Sequence, residues 1–453
     1  MSDWDLVVCG AGPAGCALAA KVAAGGRRVL LLEREPEPAQ GRDWVVDVAR
    51  GSFKAAAVPE PAAAELFDEP DRTFIVTTDR GTMVELDDSP LVPVRNAAYV
   101  RRLAGLATES GAVLRTGCVV EGPVLEGGAV RGVQFKSAGG GERAQAGITA
   151  DCTGIAGAVR RKTPAAWRMS ESIEPSDIVL ARRETHLIDR EAARKALRPG
   201  FMMDRGRLDR MGTQGTYSVE TCFLDIEAGF ADILIGVKPG SGPDPVQRFA
   251  ALLQENPFIG EKVFGDGAPI PIRRPLDTFV ADGLVVLGDS ACQAIPAHGS
   301  GTASALIAAD LCAGAVLRAL ETGRCDRGAL WGYNHAFMSS RGAVMAYYDV
   351  IRRHTESVSV RELNLMLSAG LLGPAEVLSG LVPEVPGMTP RMAVFKLRGV
   401  TRLLPAMPGL IGAGVLASRT QRHFERYPTA FRQGSLEAWV KATPPRARSS
   451  SGG

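Results

Sequence analysis

The residues with the clearest chemical potential stand at the N-terminus. Gly10-Ala11-Gly12-Pro13-Ala14-Gly15 follows the short apolar run Asp5–Cys9 and opens the Ala-rich stretch Ala14–Ala24. A Gly-x-Gly-x-x-Gly turn between a strand and a helix can cradle a pyrophosphate. Gly10 permits the tight turn, Gly12 lets the backbone approach the phosphates, and Gly15 lets the helix pack closely on the strand. The helix N-terminus adds unpaired N–H groups and a positive dipole end. Glu33 closes the next apolar run, Val29–Leu32, at the distance where a carboxylate can accept hydrogen bonds from the adenosine ribose and disfavour a 2′-phosphate. An ordinary glycine turn beside a surface glutamate would require none of this spacing. The pattern predicts a dinucleotide site that recognises an adenosine diphosphate half.

A second constellation lies far along the chain. Gly288-Asp289 ends the apolar run Leu284–Leu287, and Pro296, His298 and Gly299-Ser300-Gly301 lead into a helix from Thr302. Asp289 is suited to a ribityl or ribose hydroxyl. The helix opening at Thr302 can turn its N–H groups toward the N1–C2=O edge of a flavin, which becomes anionic on reduction. The alternative is a plain Gly-rich strand–helix connection. Taken with the first motif, the expected cofactor is FAD rather than FMN. His298 has three open roles: donor to the flavin, proton source for a substrate, or structural residue. Cys292 either faces the flavin edge or fills space.

The elements that must position these groups are β-α-β at the N-terminus and strand–helix at 284–321. Between them, Tyr99–Ser110 reads as a helix, and Ala112–Arg115, Val119–Phe135 (two runs split by Gly127-Gly128) and Ile148–Asp151 read as strands. Phe74–Leu86 reads as strand–turn–strand about Asp79-Arg80-Gly81. Tyr217–Leu224 and Ile233–Val237 read as strands, with a helix near Pro245–Asn256. The fold class expected is α/β: a doubly wound, Rossmann-type FAD-binding domain with a mostly helical C-terminal region, to which the family resemblance given below adds, as its implication, an inserted mixed β-sheet substrate domain. The FAD-binding domain is assigned to 1–70, 95–164 and 276–345, and the substrate domain to 71–94 and 165–275. The helical region is assigned to 346–442, and 443–453 is expected to be a disordered tail.

Composition narrows the function classes. The net charge of +2 over 453 residues gives no basic field for nucleic acid. Hydrophobic content of 45% and charged content of 23% are those of a globular protein with an ample core. The eight cysteines form no Cys-x-x-Cys pair, and the five histidines are too scattered for a metal site. Free thiols and the absence of a signal-like start lead to the expectation of a cytoplasmic protein.

Gly10–Gly15, Glu33, Asp151-Cys152-Thr153-Gly154 and Gly288-Asp289…Pro296…Gly299-Ser300-Gly301 together resemble the geranylgeranyl reductase family, within the para-hydroxybenzoate-hydroxylase-type flavoproteins. The resemblance covers roughly residues 1–345. It implies non-covalent FAD and adds Arg34, Arg42, Arg95, Val119, Asp151 and Gly154 to the cofactor-binding candidates, with Arg101 and Arg102 competing for the role of Arg95. Asp151-Cys152-Thr153-Gly154 is similar to the reductase, halogenase and cyclase branches. The Trp-x-Trp-x-Ile-Pro segment of flavin halogenases is absent, and of the reductases' Tyr-x-Trp-x-Phe-Pro segment only Tyr217 remains, in Tyr217-Ser218-Val219-Glu220.

The function expected from the resemblance is FAD-dependent reduction of carbon–carbon double bonds in an apolar, isoprenoid-type small molecule. The alternatives are an O₂-activating flavin monooxygenase or halogenase, and a lycopene-cyclase-like flavoenzyme without net redox. Without a second dinucleotide fingerprint, NAD(P)H or another electron donor is expected to bind transiently. The uncharged stretch Leu403–Ser418 has basic residues on both sides, and its 16 residues fall short of the roughly 20 needed to span a bilayer. Peripheral membrane contact or a lid on the protein's own core are both compatible with it.

Overall fold

The structure is a computed structural model that describes residues 3–36, 41–68, 73–77, 83–86, 89–196, 205–211, 219–240, 242–382 and 407–446. The N-terminal strand Trp4–Cys9 lies between Val29–Leu32 and Gly140–Asp151, parallel to both. Leu284–Val286 adds on beyond Gly140–Asp151, and Val113–Arg115 beyond Val29–Leu32, again in parallel. Strands covered on both faces read as unbroken apolar runs, and Leu6, Val7, Val8 and Val29–Leu32 are buried accordingly. Helices Pro13–Ala24 and Thr302–Glu321 pack against one another over this sheet. Thr302–Glu321 is long and apolar enough to cross a membrane, yet most of it is buried inside the fold. Val119–Glu126, Ala129–Ser137 and the start of Gly140–Asp151 form an antiparallel meander at the side.

The inserted sheet has seven strands in the order 259–271, 178–188, 230–237, 219–225, 205–211, 73–77, 83–86. It is antiparallel except where Arg205–Met211 runs parallel to Thr73–Thr77, so it is mixed. Side chains alternate across its two faces. Ile233 and Ile235 pack on the outer helix Pro245–Glu255, whereas Leu234 and Gly236 line the inner cavity. That outer helix starts at Asp244, whose side chain accepts a hydrogen bond from the Gln247 N–H, with Pro245 in its first turn.

The C-terminal helices cap the open side of this sheet. Arg327–Phe337 continues through a π-helical turn, Met338–Gly342, into Ala343–Thr355. Helices Val360–Ser368 and Pro374–Leu381 follow, and their Leu367, Val377 and Leu378 pack on Ile75, Val84 and Leu86 of the sheet edge.

Several boundaries differ from expectation. The helix expected at Tyr99–Ser110 begins at Asn96, because Arg95 ends the preceding strand and acts as its N-cap. Leu91–Arg95, mostly within the segment assigned to the substrate domain, pairs instead with Val45–Ala49 in a separate two-stranded sheet. The tail expected from residue 443 is docked at its start: the Pro444 carbonyl accepts from Arg274, and Arg446 pairs with Asp177 at 2.9 Å. The turn at Asp79-Arg80-Gly81, Tyr217, Leu403–Ala406 and 447–453 lie outside the described residues. The rest of the uncharged stretch belongs to the helix Met407–Glu425.

Candidate FAD and substrate site

One cavity of about 1280 Å³ runs from the Gly10–Ala14 turn to the inner face of the seven-stranded sheet. At the nucleotide end, Gly10 has φ +100°, and a Cβ there would come within 2.4 Å of the Cys152 carbonyl oxygen. A Cβ on Gly15 would lie 1.9 Å from the Gly10 carbonyl oxygen, so the helix can approach the strand only as glycine. Gly15 is thus a packing residue outside the cavity lining. Beside Gly12 there is open space, with nothing within 4 Å of where its Cβ would be. The Glu33 carboxylate is fixed by the backbone: the Ala11 N–H donates to Oε2 at 2.7 Å and the Glu35 N–H to Oε1 at 3.0 Å. Arg34 and Val119 stand in the wall nearby, Arg34 paired with Glu35 at 3.1 Å.

The second motif forms the opposite wall. Gly288 takes φ +64°, and its N–H donates to Gln293 Oε1 at 2.7 Å. Gln293 Nε2 donates to the Tyr333 hydroxyl at 2.9 Å, which donates to the Val286 carbonyl at 3.0 Å. This buried staple holds the turn so that Asp289 faces the cavity. Among the described residues the Asp289 carboxylate accepts no hydrogen bond. Burial pushes its pKa up to about 6, against a small opposing pull from Arg42. Such a group is short of a donor, which a sugar or ribityl hydroxyl would supply. Gly299, Ser300, Gly301 and Thr302 line the cavity at the start of the long helix. The Ser300 hydroxyl ties the loop to the Asp47 carbonyl at 2.9 Å. Pro296 and Cys292 stay outside the cavity lining. Cys292 is buried with φ +56°, and burial raises its thiol pKa, so it serves as an inert part of the turn.

Asp151 has a different place. It is fully buried and outside the cavity lining. Its oxygens accept from the Thr153 N–H and hydroxyl, the Val159 and Arg160 N–H groups, and the Ser290 hydroxyl. Instead of touching a cofactor, it organises the turn that brings Cys152, Thr153 and Gly154 to the cavity. Arg95 is likewise displaced: its guanidinium lies over the Phe264 ring at 5.1 Å, while Arg101 reaches the cavity wall. Arg42 lines the cavity and joins its two halves, donating to the Gly267 carbonyl at 3.1 Å and pairing with Asp266 at 3.5 Å.

His298 lines the cavity, and its Nδ1 accepts from the Ser300 N–H at 3.2 Å. Burial lowers its pKa to about 4, with Asp47 opposing and Arg207 and Arg341 adding to the fall. At neutral pH it is an uncharged imidazole carrying its proton on Nε2. That removes the expected role of an imidazolium proton source and leaves those of hydrogen-bond donor and structural residue.

A charge network not anticipated from the sequence sits in the sheet wall. Asp47 pairs with both Arg183 and Arg207 at 3.0 Å, Arg183 with Asp232 at 2.7 Å, and Arg207 with Asp209 at 2.9 Å. Burial alone would raise the Asp47 carboxyl, but the two guanidiniums outweigh it and hold it well below its ordinary value. Arg183 and Arg207 lie 136 and 160 residues from Asp47 in chain order, so no local pattern could have joined them to it.

The residues present fit FAD. An open backbone at Gly12 precedes a helix N-terminus, a fixed carboxylate stands at Glu33, and Asp289 and the Thr302 helix start face the same cavity. The cavity exceeds the roughly 300–1,000 Å³ usual for one ligand, which leaves room for a second molecule beside the inner sheet face.

Comparison with known proteins agrees with this geometry. The family model for FAD dependent oxidoreductases matches residues 5–175. The digeranylgeranylglycerophospholipid reductase of Sulfolobus acidocaldarius is 23% identical over 83% of this chain and 82% of its own. That of Methanoculleus marisnigri is 26% identical over 86% and 96%. Among solved structures, a geranylgeranyl bacteriochlorophyll reductase-like protein from Thermoplasma acidophilum has a TM-score of 0.70 at 15% identity, covering 89% of this chain and 96% of its own. A flavin-dependent brominase, Bmp2, has a TM-score of 0.60 at 17% identity, covering 89% and 99%. These structural likenesses concern the fold. The family model over residues 5–175 and the curated relatives show that the chain is similar to FAD-dependent oxidoreductases and, among them, to the geranylgeranyl-type reductases.

Proposed function

We propose that the protein reduces carbon–carbon double bonds of an isoprenoid-type lipid, with FAD held between the Gly10–Gly15 turn and the Asp289–Thr302 loop. The carrying observation is the continuity of one cavity from the FAD fingerprint into a largely apolar space. That space lies between the inner sheet face (Ile75, Val179, Leu234, Ile270) and the lid helices (Leu367, Val377). Burying apolar area contributes about 25 cal/mol per Å², so a long hydrocarbon can bind there with few hydrogen bonds. The names of the curated relatives support the same substrate class.

FAD held there would supply the hydride for alkene reduction, and the protein's part would be to position both partners. Glu33 and the turn N–H groups would hold the adenosine diphosphate half of FAD, and Asp289 would accept from a hydroxyl of the flavin side chain. The lid helices exclude water. A neutral His298 orients by donating a hydrogen bond, and the proton that completes the reduction comes from water or another group. We take the electron donor to be NAD(P)H or another reductant that docks transiently. We also propose a cytoplasmic protein with peripheral membrane contact. The helix Met407–Glu425 exposes Ile411 and Val415 at 57% and 64%, with Arg419 and Arg422 exposed further along it. An apolar patch followed by basic residues suits an anionic bilayer surface.

The test is anaerobic incubation of the reduced protein with geranylgeranyl lipids, read by mass spectrometry. A gain of two hydrogens per reduced double bond is expected. Turnover that requires O₂ and inserts oxygen would instead establish the monooxygenase alternative.

A further inference from the structure

On the inner sheet wall a charged pair is set among apolar side chains such as Ile75, Leu234 and Ile270. Arg207 and Asp209 lie two residues apart on Arg205–Met211, so they project from the same face. Both line the cavity, and each side chain keeps 15% exposure there. Arg207 uses Nε for Asp209 at 2.9 Å and Nη1 for Asp47 at 3.0 Å. Its Nη2 has no hydrogen bond among the described residues. Buried ion pairs are poor stabilisers compared with apolar residues of similar volume, so stability alone gives no reason to set this pair into a lipid-sized cavity.

The charge balance decides what the pair can recognise. Two guanidiniums, Arg183 and Arg207, face three carboxylates, Asp47, Asp209 and Asp232. No positive charge is left over for a phosphate or carboxylate. What remains is a donor on Arg207 beside an acceptor on Asp209, and a hydroxyl is the group that both accepts and donates. We infer that Arg207 and Asp209 form a recognition point for a neutral hydroxyl-type group on the apolar substrate, and so fix which double bond lies at the flavin. This rests on the isoprenoid reading above and specifies the substrate within it.

The test uses the full chain loaded with FAD and follows flavin absorbance during titration with geranylgeraniol, the matching oxygen-free hydrocarbon, and geranylgeranyl diphosphate. The alcohol should bind roughly tenfold more tightly than the hydrocarbon, the scale of one hydrogen bond to a charged group. Asp209→Leu should abolish that preference, read as the ratio of alcohol to hydrocarbon affinity. Arg207→Lys keeps the charge but loses the fork, and should reduce the preference, which covers the case that Asp209→Leu fails to retain FAD. Equal binding of alcohol and hydrocarbon to the unaltered protein overturns this inference alone. So does a preference for the diphosphate that Arg207→Lys removes. Failure of all three prenyl compounds to bind overturns the isoprenoid reading and this inference with it.

Discussion

Asp151 and Asp289 stand at the ends of neighbouring parallel strands, yet their surroundings are opposite. Asp151 is fully buried and accepts five hydrogen bonds from its own chain. Asp289 borders the cavity with no donor among the described residues, and burial lifts its pKa to about 6. One carboxylate is consumed by the fold, while the other is left with unmet hydrogen-bonding capacity. The difference shows how a binding site is recognised physically: its polar groups are the ones the protein has not satisfied.

The sharpest way to break this comparison is Asp151→Ala. It leaves the buried N–H groups of Val159 and Arg160 without an acceptor, at a cost of about 3–5 kcal/mol. Denaturant titration should show that loss, or the protein should fail to fold; a change under about 1 kcal/mol would place Asp151 outside the structural core.

His298 comes next. Its folded pKa of about 4 lies below its ordinary value of 6.5. Protonation therefore favours the unfolded chain, and its contribution to stability is present above pH 6.5 and lost as pH falls toward 4, by about 3 kcal/mol at most. In melts across that window, His298→Asn should flatten the slope. Identical slopes would mean that His298 is solvated.

At Asp289 the sign reverses. A carboxyl raised from 3.8 to about 6 is bound to its proton in the folded state between those values, and its ionisation above them costs stability. Asp289→Asn should therefore stabilise the FAD-free protein at pH 7 by at most about 3 kcal/mol, while weakening FAD retention roughly tenfold through loss of a charge-assisted bond. Calorimetry of the apoprotein and FAD titration read the two effects separately. A variant that loses stability and keeps its FAD affinity would reverse the roles drawn here for the two aspartates.

The smallest effect belongs to the surface. Ile411→Glu should alter stability by less than about 0.5 kcal/mol while abolishing sedimentation with vesicles of anionic lipid. Unchanged vesicle binding would leave the exposed patch without a membrane role.

The legible parts of the molecule were those set by local pattern. Trp4–Cys9, Pro13–Ala24 and Val29–Leu32 fall close to where the apolar runs and glycines placed them, because chain neighbours decide them. Thr302–Glu321 and Leu284–Val286 were readable for the same reason. The separate roles of Asp151 and Asp289 were not readable, since both appear as an aspartate after a strand, and their partners are settled by packing. The Asp47–Arg183–Arg207–Asp209 network was hidden by distance along the chain. The start of the tail was hidden too, because a Pro- and Arg-rich sequence gives no sign that Arg446 finds Asp177. The geometry of His298 shows a further limit. A histidine in a glycine loop suggests a titrating group, and only burial reveals that it stays neutral.

The central claim is that the cavity between the Gly10–Gly15 turn and the Asp289–Thr302 loop is built for FAD. The direct measurement is heat denaturation of the purified protein, followed by chromatographic identification of the released nucleotide. A yellow protein that releases FAD and no FMN is the predicted result, because Glu33 and the Gly12 turn address an adenosine half that FMN lacks. A colourless protein that cannot be reconstituted with FAD, or one that releases FMN, would contradict it.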